Sequence, residues 1–213
     1  MLHPIPHDLA QSIPLHTTDE LETTRLRLRL FVPEDAGELS LITSDAEVMK
    51  FIGEGLPLSE DETRSNLACI IEVFEKRGFG KWAVIHKELN KLIGYCGFAS
   101  GNPQVGVEIA YLLARPYWGQ GLASEAAGAC LRYGFEVLRL DSISGVTRPG
   151  NNKSRRVLER LGMKYVSQAI YFGYDCVHYA LAQSEFRPHP AAYFVQRMDG
   201  SRTQRCSTLL HRI

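Results

Sequence analysis

The sequence predicts a mixed α/β domain in which helices cover both faces of a mostly antiparallel, twisted sheet. Three observations carry that expectation. Residues Thr24–Phe31 alternate strictly, with Leu26, Leu28 and Leu30 on one face and Arg25, Arg27 and Arg29 on the other, the period of a half-buried strand. Apolar runs at Lys81–His86, Leu92–Ala99 and Val105–Leu113 are separated by Glu88–Lys91 and Ser100–Pro103, which are hairpin connections. A long small-residue helical pattern, Ala123–Leu138, then leaves the third run through Gly119 and Gly121.

The remaining elements follow in order. Pro33, Glu34 and Asp35 open a short helix through Leu41. A second helix spans Ser59–Lys76, with Ser59 as N-cap and Glu62 completing a capping box. Ser142–Arg148 reads as a strand, Asn151–Leu161 as a helix stopped by Gly162, and Lys164–Tyr171 and Tyr174–Ala182 as two strands joined through Gly173. The sheet should therefore hold about seven strands. Residues 1–22 lack a period and read as an arm, 23–183 as the domain, and 184–213 as a basic tail. That tail carries Arg187, Arg197, Arg202, Arg205 and Arg212, and a short helix at most is expected in it.

Composition narrows the function. The 24 basic and 24 acidic residues cancel, so no overall field draws the chain to nucleic acid or to an anionic membrane. The three arginines of the first strand therefore read as a solvated outer face. No apolar run approaches the roughly 18 residues of a membrane span. Met1–Leu15 lacks the basic start and apolar core of a secretory signal. The five cysteines, Cys69, Cys96, Cys130, Cys176 and Cys206, stand singly, which suits neither a zinc site nor a disulfide framework. A cytoplasmic, metal-free protein is expected.

Residues Arg115–Glu125 hold the most functional information. Gly119 and Gly121 allow a tight turn into a helix whose first N–H groups, on Gln120, Gly121, Leu122, Ala123 and Ser124, have no partner within the helix. Such a helix start seats a phosphate or pyrophosphate. A dinucleotide-binding Gly-x-Gly-x-x-Gly turn is disfavoured, because Ser124 stands at the third glycine position.

With Trp118–Ala123 after the fourth strand and Asn151–Met163 downstream, the chain resembles the GNAT acyl-CoA N-acyltransferases over roughly Thr23–Ala182. Within them it is most similar to the branch that includes the ribosomal-protein N-terminal acetyltransferases. Gly121 and Ala123 match the fourth and sixth positions of that family's phosphate motif, Gln/Arg-x-x-Gly-x-Gly/Ala, while Trp118 departs from the first.

The resemblance implies an N-acetyltransferase that moves the acetyl group of acetyl-CoA to a primary amine by direct attack in a ternary complex. The acceptor would be a protein N-terminus, a lysine or a small amine, and the protein a monomer or a homodimer. Acetyl-CoA would lie in a V-shaped split between the fourth and fifth strands. Its pyrophosphate would take the N–H groups of Gln120, Gly121, Leu122, Ala123 and Ser124, and its pantetheine arm the backbone of Ile109–Leu113, with Ile109, Leu112 and Leu113 as contacts. Asn151 would reach the cofactor or serve only as the N-cap of its helix.

Acetyl transfer to an amine needs a base, donors for the developing oxyanion, and a partner for the departing thiolate. On the fourth strand Gly106, Glu108, Ala110 and Leu112 share one face, and a carboxylate in such an apolar run makes Glu108 the candidate base. The plainer alternative is an outward-facing glutamate. The N–H groups near Ile109 or Ala110 are the candidate oxyanion donors. Relatives often place a tyrosine seven residues after the motif asparagine, and here that position is Leu158. The resemblance to the closer branch implies the serine of Asn-x-x-Ser, Ser154, as the candidate acid; the plainer alternative is a helix-start serine, with Tyr171 and Tyr174 in reserve. The vacancy at 158 leaves a second reading open, a catalytically idle acyl-CoA-binding regulatory protein. Residues Phe51–Pro57 read as a wall over the acceptor cleft, and Glu54 and Glu60–Glu62 would suit a cationic acceptor unless they are merely solvated.

Overall fold

The computed structural model describes residues 19–100, 105–171, 173–188, 194–199 and 202–206. Ten strands form one sheet: β1 (Asp19–Glu22), β2 (Leu26–Arg29), β3 (Lys81–His86), β4 (Lys91–Ser100), β5 (Val107–Leu113), β6 (Ser142–Thr147), β7 (Lys164–Tyr171), β8 (Tyr174–Ala182), β9 (Phe194–Asp199) and β10 (Arg202–Cys206). The helices are α1 (Ala36–Thr43), α2 (Ala46–Met49), α3 (Glu60–Arg77), α4 (Leu122–Glu136) and α5 (Asn152–Arg160). Strand order is β10-β9-β1-β2-β3-β4-β5-β6-β8-β7. Every neighbouring pair is antiparallel except β5 and β6, which run parallel and share one pair, Glu108 opposite Ser144. The fourth and fifth strands expected from the sequence are these two.

Local chemistry explains the main elements. Ser59 Oγ accepts the Glu62 N–H, and the Glu62 carboxylate takes the Ser59 N–H, so the capping box starts α3 as expected. Gly78 ends that helix at φ +71°. On one side of the sheet α4 packs through Ala126, Ala127, Cys130 and Gly134. A Cβ on Gly134 would stand 2.7 Å from Ile143 Cδ1, so this close approach requires glycine. Trp82, fully buried, meets the rings of Tyr133 and Phe74 edge-on at 5.4 and 5.2 Å. A second cluster, with Leu39, Leu67, Ala83, Ile85 and Leu92, lies under α1 and α3. Among the described residues no helix is long and apolar enough to cross a membrane.

Four expectations need correction. The arm expected at 1–22 ends in strand β1, because Leu21, fully buried, pairs with Leu28; residues 1–18 lie outside the described ones. The tail opens in a single 3-10 turn at Gln183–Glu185 and is not a free extension beyond it where it is described. Its β9 pairs with β1 (Leu21 opposite Val195) and with β10. The sheet has ten strands rather than about seven, with β1, β9 and β10 extending one side. The arginine face of the first strand is not a solvated stripe throughout. Arg29 donates twice to Asp35, at 2.7 Å each, and Arg25 is engaged across the sheet as described below. The four-residue helix α2 was also unforeseen.

Candidate active site

Helix α4 begins in the glycine turn the sequence singled out. Gly119 and Gly121 have φ of +75° and +78°, and Gly121 is the N-cap. The positive φ requires glycine at both positions, since open space surrounds a Cβ at Gly119 and only an ordinary contact meets one at Gly121. The first helical bond is Glu125 N–H to Gly121 O at 3.0 Å. The N–H groups of Leu122, Ala123 and Ser124 therefore emerge at the positive end of the helix. Ser124 Oγ is buried there and meets no hydrogen-bond partner among the described residues. A buried hydroxyl without a partner beside an anion seat suits a bound phosphate oxygen.

The turn is clamped from behind. The Glu125 carboxylate accepts from Thr23 Oγ at 2.6 Å, Arg25 N at 2.8 Å and Arg25 Nε at 2.7 Å. Arg25 Nη1 donates to the Gln120 carbonyl at 3.0 Å. Burial works against ionisation of Glu125, but the Thr23 and Arg25 hydrogen bonds overcome it and lower its pKa. Arg25 thus fixes the turn and neutralises the one carboxylate in the first turn of α4. Sequence analysis missed this role, because Arg25 and Glu125 lie a hundred residues apart and each alone resembles a surface charge.

After β5, the Trp118 indole N–H donates to the Leu113 carbonyl at 2.7 Å. The Lys153 ammonium stands 4.0 Å from the centre of the Trp118 ring. Trp118 therefore ties the turn both to β5 and to α5, which explains the departure from the motif at that position. Asn151 is the N-cap of α5, and its Oδ1 accepts the Ser154 N–H at 3.2 Å. Ser154 Oγ lies 2.9 Å from the Tyr111 hydroxyl of β5. Burial drives the Tyr111 phenol well above its ordinary pKa, opposed by the Ser154 hydrogen bond. Tyr111 looked like one more apolar-face residue of its strand, and nothing in the sequence paired it with Ser154.

Leu158 is a core residue, 1% exposed, and its Cδ2 would stand 2.6 Å from a Cβ on Gly145. The position where relatives often carry a tyrosine is thus filled by a leucine packed into a glycine of β6. Tyr171 is buried against His178 at 5.7 Å between ring centres, and Tyr174 lies under the Arg148 guanidinium at 4.1 Å. Both read as packing residues.

Glu108 lies on the α1/α3 face of β5, as the period-2 reading places it, opposite Ala99 of β4. It is half-buried, and burial pushes its carboxyl up to about 7, moderated by the Lys81 charge. A cavity of about 670 Å³ opens on this face, walled by α1, α3, the Gly53–Leu58 loop, Tyr95 of β4 and Leu112 of β5. Arg148 donates to the Gly53 carbonyl, so the loop is pinned to the far side of the split. At the foot of the split Ser144 Oγ donates to the Val105 carbonyl at 2.7 Å. His178 Nε2, 3.0 Å from Ser144 Oγ, must then be the donor, because the serine proton is already committed.

Comparison with known proteins agrees with this geometry. The acetyltransferase (GNAT) domain model matches residues 25–164, and the chain belongs to that family. A GNAT-family acetyltransferase structure from Bacillus anthracis superposes with a TM-score of 0.67 at 31% identity, covering 78% of this chain and 99% of that one. The uncharacterized N-acetyltransferase p20 of Bacillus licheniformis is 33% identical over 147 residues, 68% of this chain and 83% of its own. RimL, a ribosomal L7/L12 α-N-protein acetyltransferase solved with coenzyme A, shares the fold with a TM-score of 0.64 at 21% identity, covering 75% of this chain and 95% of that one. The protein is an acetyl-CoA-dependent N-acetyltransferase of the GNAT family.

The buried carboxyl of Glu108 generates a stability prediction. Its pKa rises from an ordinary 4.5 to about 7 on folding, so the folded state holds a proton that the unfolded state has released between those values. Stability then falls as pH climbs through that window, because the ionised carboxylate is disfavoured in the fold. Glu108→Gln carries no such charge. In thermal unfolding scans the variant should match the parent at pH 4.5 and melt higher than it at pH 8. A variant that melts lower at pH 8 would contradict a destabilised carboxylate.

Proposed function

We propose that this chain acetylates a primary amine by direct attack in a ternary complex, with Glu108 as general base. The observation that carries this reading is the half-buried Glu108 carboxyl, raised to about 7, on the cavity face where β5 and β6 part. A base of that pKa is close to half ionised at neutral pH, near the value at which proton abstraction is most effective.

Acetyl-CoA supplies an acyl thioester, whose C–S bond breaks as the C–N bond to the acceptor forms. The N–H groups of Gln120, Gly121, Leu122, Ala123 and Ser124 hold its pyrophosphate, with the Ser124 hydroxyl as an added donor. The free edge of β5 along Ile109–Leu113 takes the pantetheine amides as an added strand would, with Ile109, Leu112 and Leu113 as its contacts. Asn151 keeps its Nδ2 available, because its capping bond uses Oδ1 alone. Glu108 accepts the ammonium proton, directly or through one water. A backbone N–H near Ile109, on the edge of β5 that faces the split, donates to the acyl oxygen as charge develops on it.

Ser154 and Tyr111 act at the sulfur as hydrogen-bond donors rather than as an acid. A phenol raised so far above its ordinary range holds its proton more tightly than a thiol of pKa about 8.5, so full transfer is uphill. The pair steadies the thiolate, and water supplies the proton. With Tyr111 reaching Ser154 from β5, Leu158 no longer marks a missing function, and no observation favours the idle regulatory reading.

With any acetylated amine, kcat/KM of the parent should rise with pH through about 7. Glu108→Gln should lose roughly 10²- to 10⁴-fold in turnover and lose that ascent while keeping its affinity for CoA. Parent-like rates across pH 6 to 9 would remove Glu108 from the chemistry. Tyr111→Phe and Ser154→Ala should each slow turnover at saturating acetyl-CoA, and the double variant should be no worse than the slower single one. Normal turnover with weakened CoA binding would instead give the pair a purely structural role in seating α5.

A further inference from the structure

The distribution of charge along the cavity bears on which amine it takes, given the acetyl-transfer reading above. Helix α3 forms one wall, and Glu62 near its start and Arg77 at its end both line the cavity, about 22 Å apart at 1.5 Å per residue. The other charged lining residues follow the same division. Glu54 lies in the loop before α3, and Lys81 opens β3 just after it. The cavity therefore has an acidic end and a cationic end.

The cationic end is the one beside Glu108. Arg77 donates to both the carbonyl and the hydroxyl of Ser100, and Ser100 pairs with Val107, the neighbour of Glu108 in β5. Lys81 lies opposite Gly97, which pairs with Ala110, and its charge acts on the Glu108 carboxyl. The acceptor nitrogen must reach this same place to meet Glu108 and the backbone of Ile109 and Ala110. An acceptor bringing only an ammonium group would meet two half-buried cations and be repelled. One carrying a carboxylate next to its amine would neutralise them through charge-assisted hydrogen bonds. Apolar side chains, Met49, Ile52 and Leu58 among them, line the cavity beyond.

We propose that the acceptor is a free amino acid or a compound of that kind: a primary amine with a carboxylate on the adjacent carbon and an apolar body, the carboxylate held by Arg77 and Lys81. A peptide N-terminus fits less well, because an amide replaces the carboxylate and offers Arg77 and Lys81 no anionic partner; among the described residues Lys81 then keeps only the Tyr95 ring, 4.9 Å away, and the Glu108 carboxyl.

The test is acetyl-CoA-dependent thiol release with leucine, methionine and phenylalanine, their amides, and peptides beginning with the same residues. The acids should exceed the amides in kcat/KM by roughly tenfold or more, the size expected of a hydrogen bond to a charged group. This preference runs against intrinsic reactivity, since the amide's amine is the weaker base and is more often neutral. Lys81→Met and Arg77→Gln should each pull the acid-to-amide ratio toward one, mainly through KM. If either variant fails to fold, calorimetry on the parent decides instead, with leucine binding and leucinamide not. Amides or peptides used as well as the acids would overturn the inference while leaving acetyl transfer standing. A protein that acetylates another primary amine, such as a polyamine or a lysine side chain, and none of these acids would likewise overturn the inference, whereas one that binds CoA and acetylates no amine of any class would overturn the acetyl-transfer reading as well.

Discussion

Strands β5 and β6 run parallel, meet at Glu108 and Ser144, and then part. In a continuous sheet the next residues of β5 would be paired on both edges, and no backbone donors would remain for a ligand. Here the edge beyond Glu108 is left without a strand partner, and the surrounding packing holds it open. Leu158 wedges α5 against the bare Cα of Gly145, while the His178–Ser144–Val105 chain fastens the foot of the split. Tyr111–Ser154 and Trp118–Lys153 set the spacing between β5 and α5. Because β5 alternates its faces, Glu108 shares the α1/α3 face with Leu112, which lines the cavity, while Tyr111 points toward α5. The Glu108 carboxyl and the Tyr111–Ser154 pair are thereby kept on opposite sides of one strand.

The phosphate turn is a second consequence of where β5 ends. A helix start rich in free N–H groups attracts anions, yet the first turn of α4 already contains one, Glu125. Left unpaired, that carboxylate would repel a pyrophosphate seated a few ångströms away. Arg25 and Thr23 bind it from the turn between β1 and β2, and Arg25 also grips the Gln120 carbonyl. The pair is partly exposed, so its worth to stability is modest. The pairing also offsets the one negative charge in the first turn of α4.

Much of the fold was legible in the sequence where apolar runs were bounded by turn chemistry. The limits of Lys81–His86, Lys164–Tyr171 and Tyr174–Ala182 are recovered to the residue, and the Ser59–Glu62 box starts its helix as expected. β1 was not legible because it contains a single apolar residue, Leu21, whose burial depends on β2 and β9. α2 is one turn long, too short for a period to show. At the site, alternation alone gave the face of Glu108, and the glycines gave the turn. Arg25 and Tyr111 escaped notice for one reason: each acts through a partner distant in sequence, and a pattern read along one chain segment does not reveal tertiary pairing.

The central claim is that free backbone N–H groups on β5 and at the start of α4 form one continuous seat for coenzyme A. Amide hydrogen exchange, followed by mass spectrometry with and without CoA, tests it most directly. The account predicts that CoA slows exchange at Ile109–Leu113 and at Gln120–Ser124, with little change in β7 or α1. Bound CoA that leaves both segments exchanging at their free rates, and protects another surface instead, would contradict it.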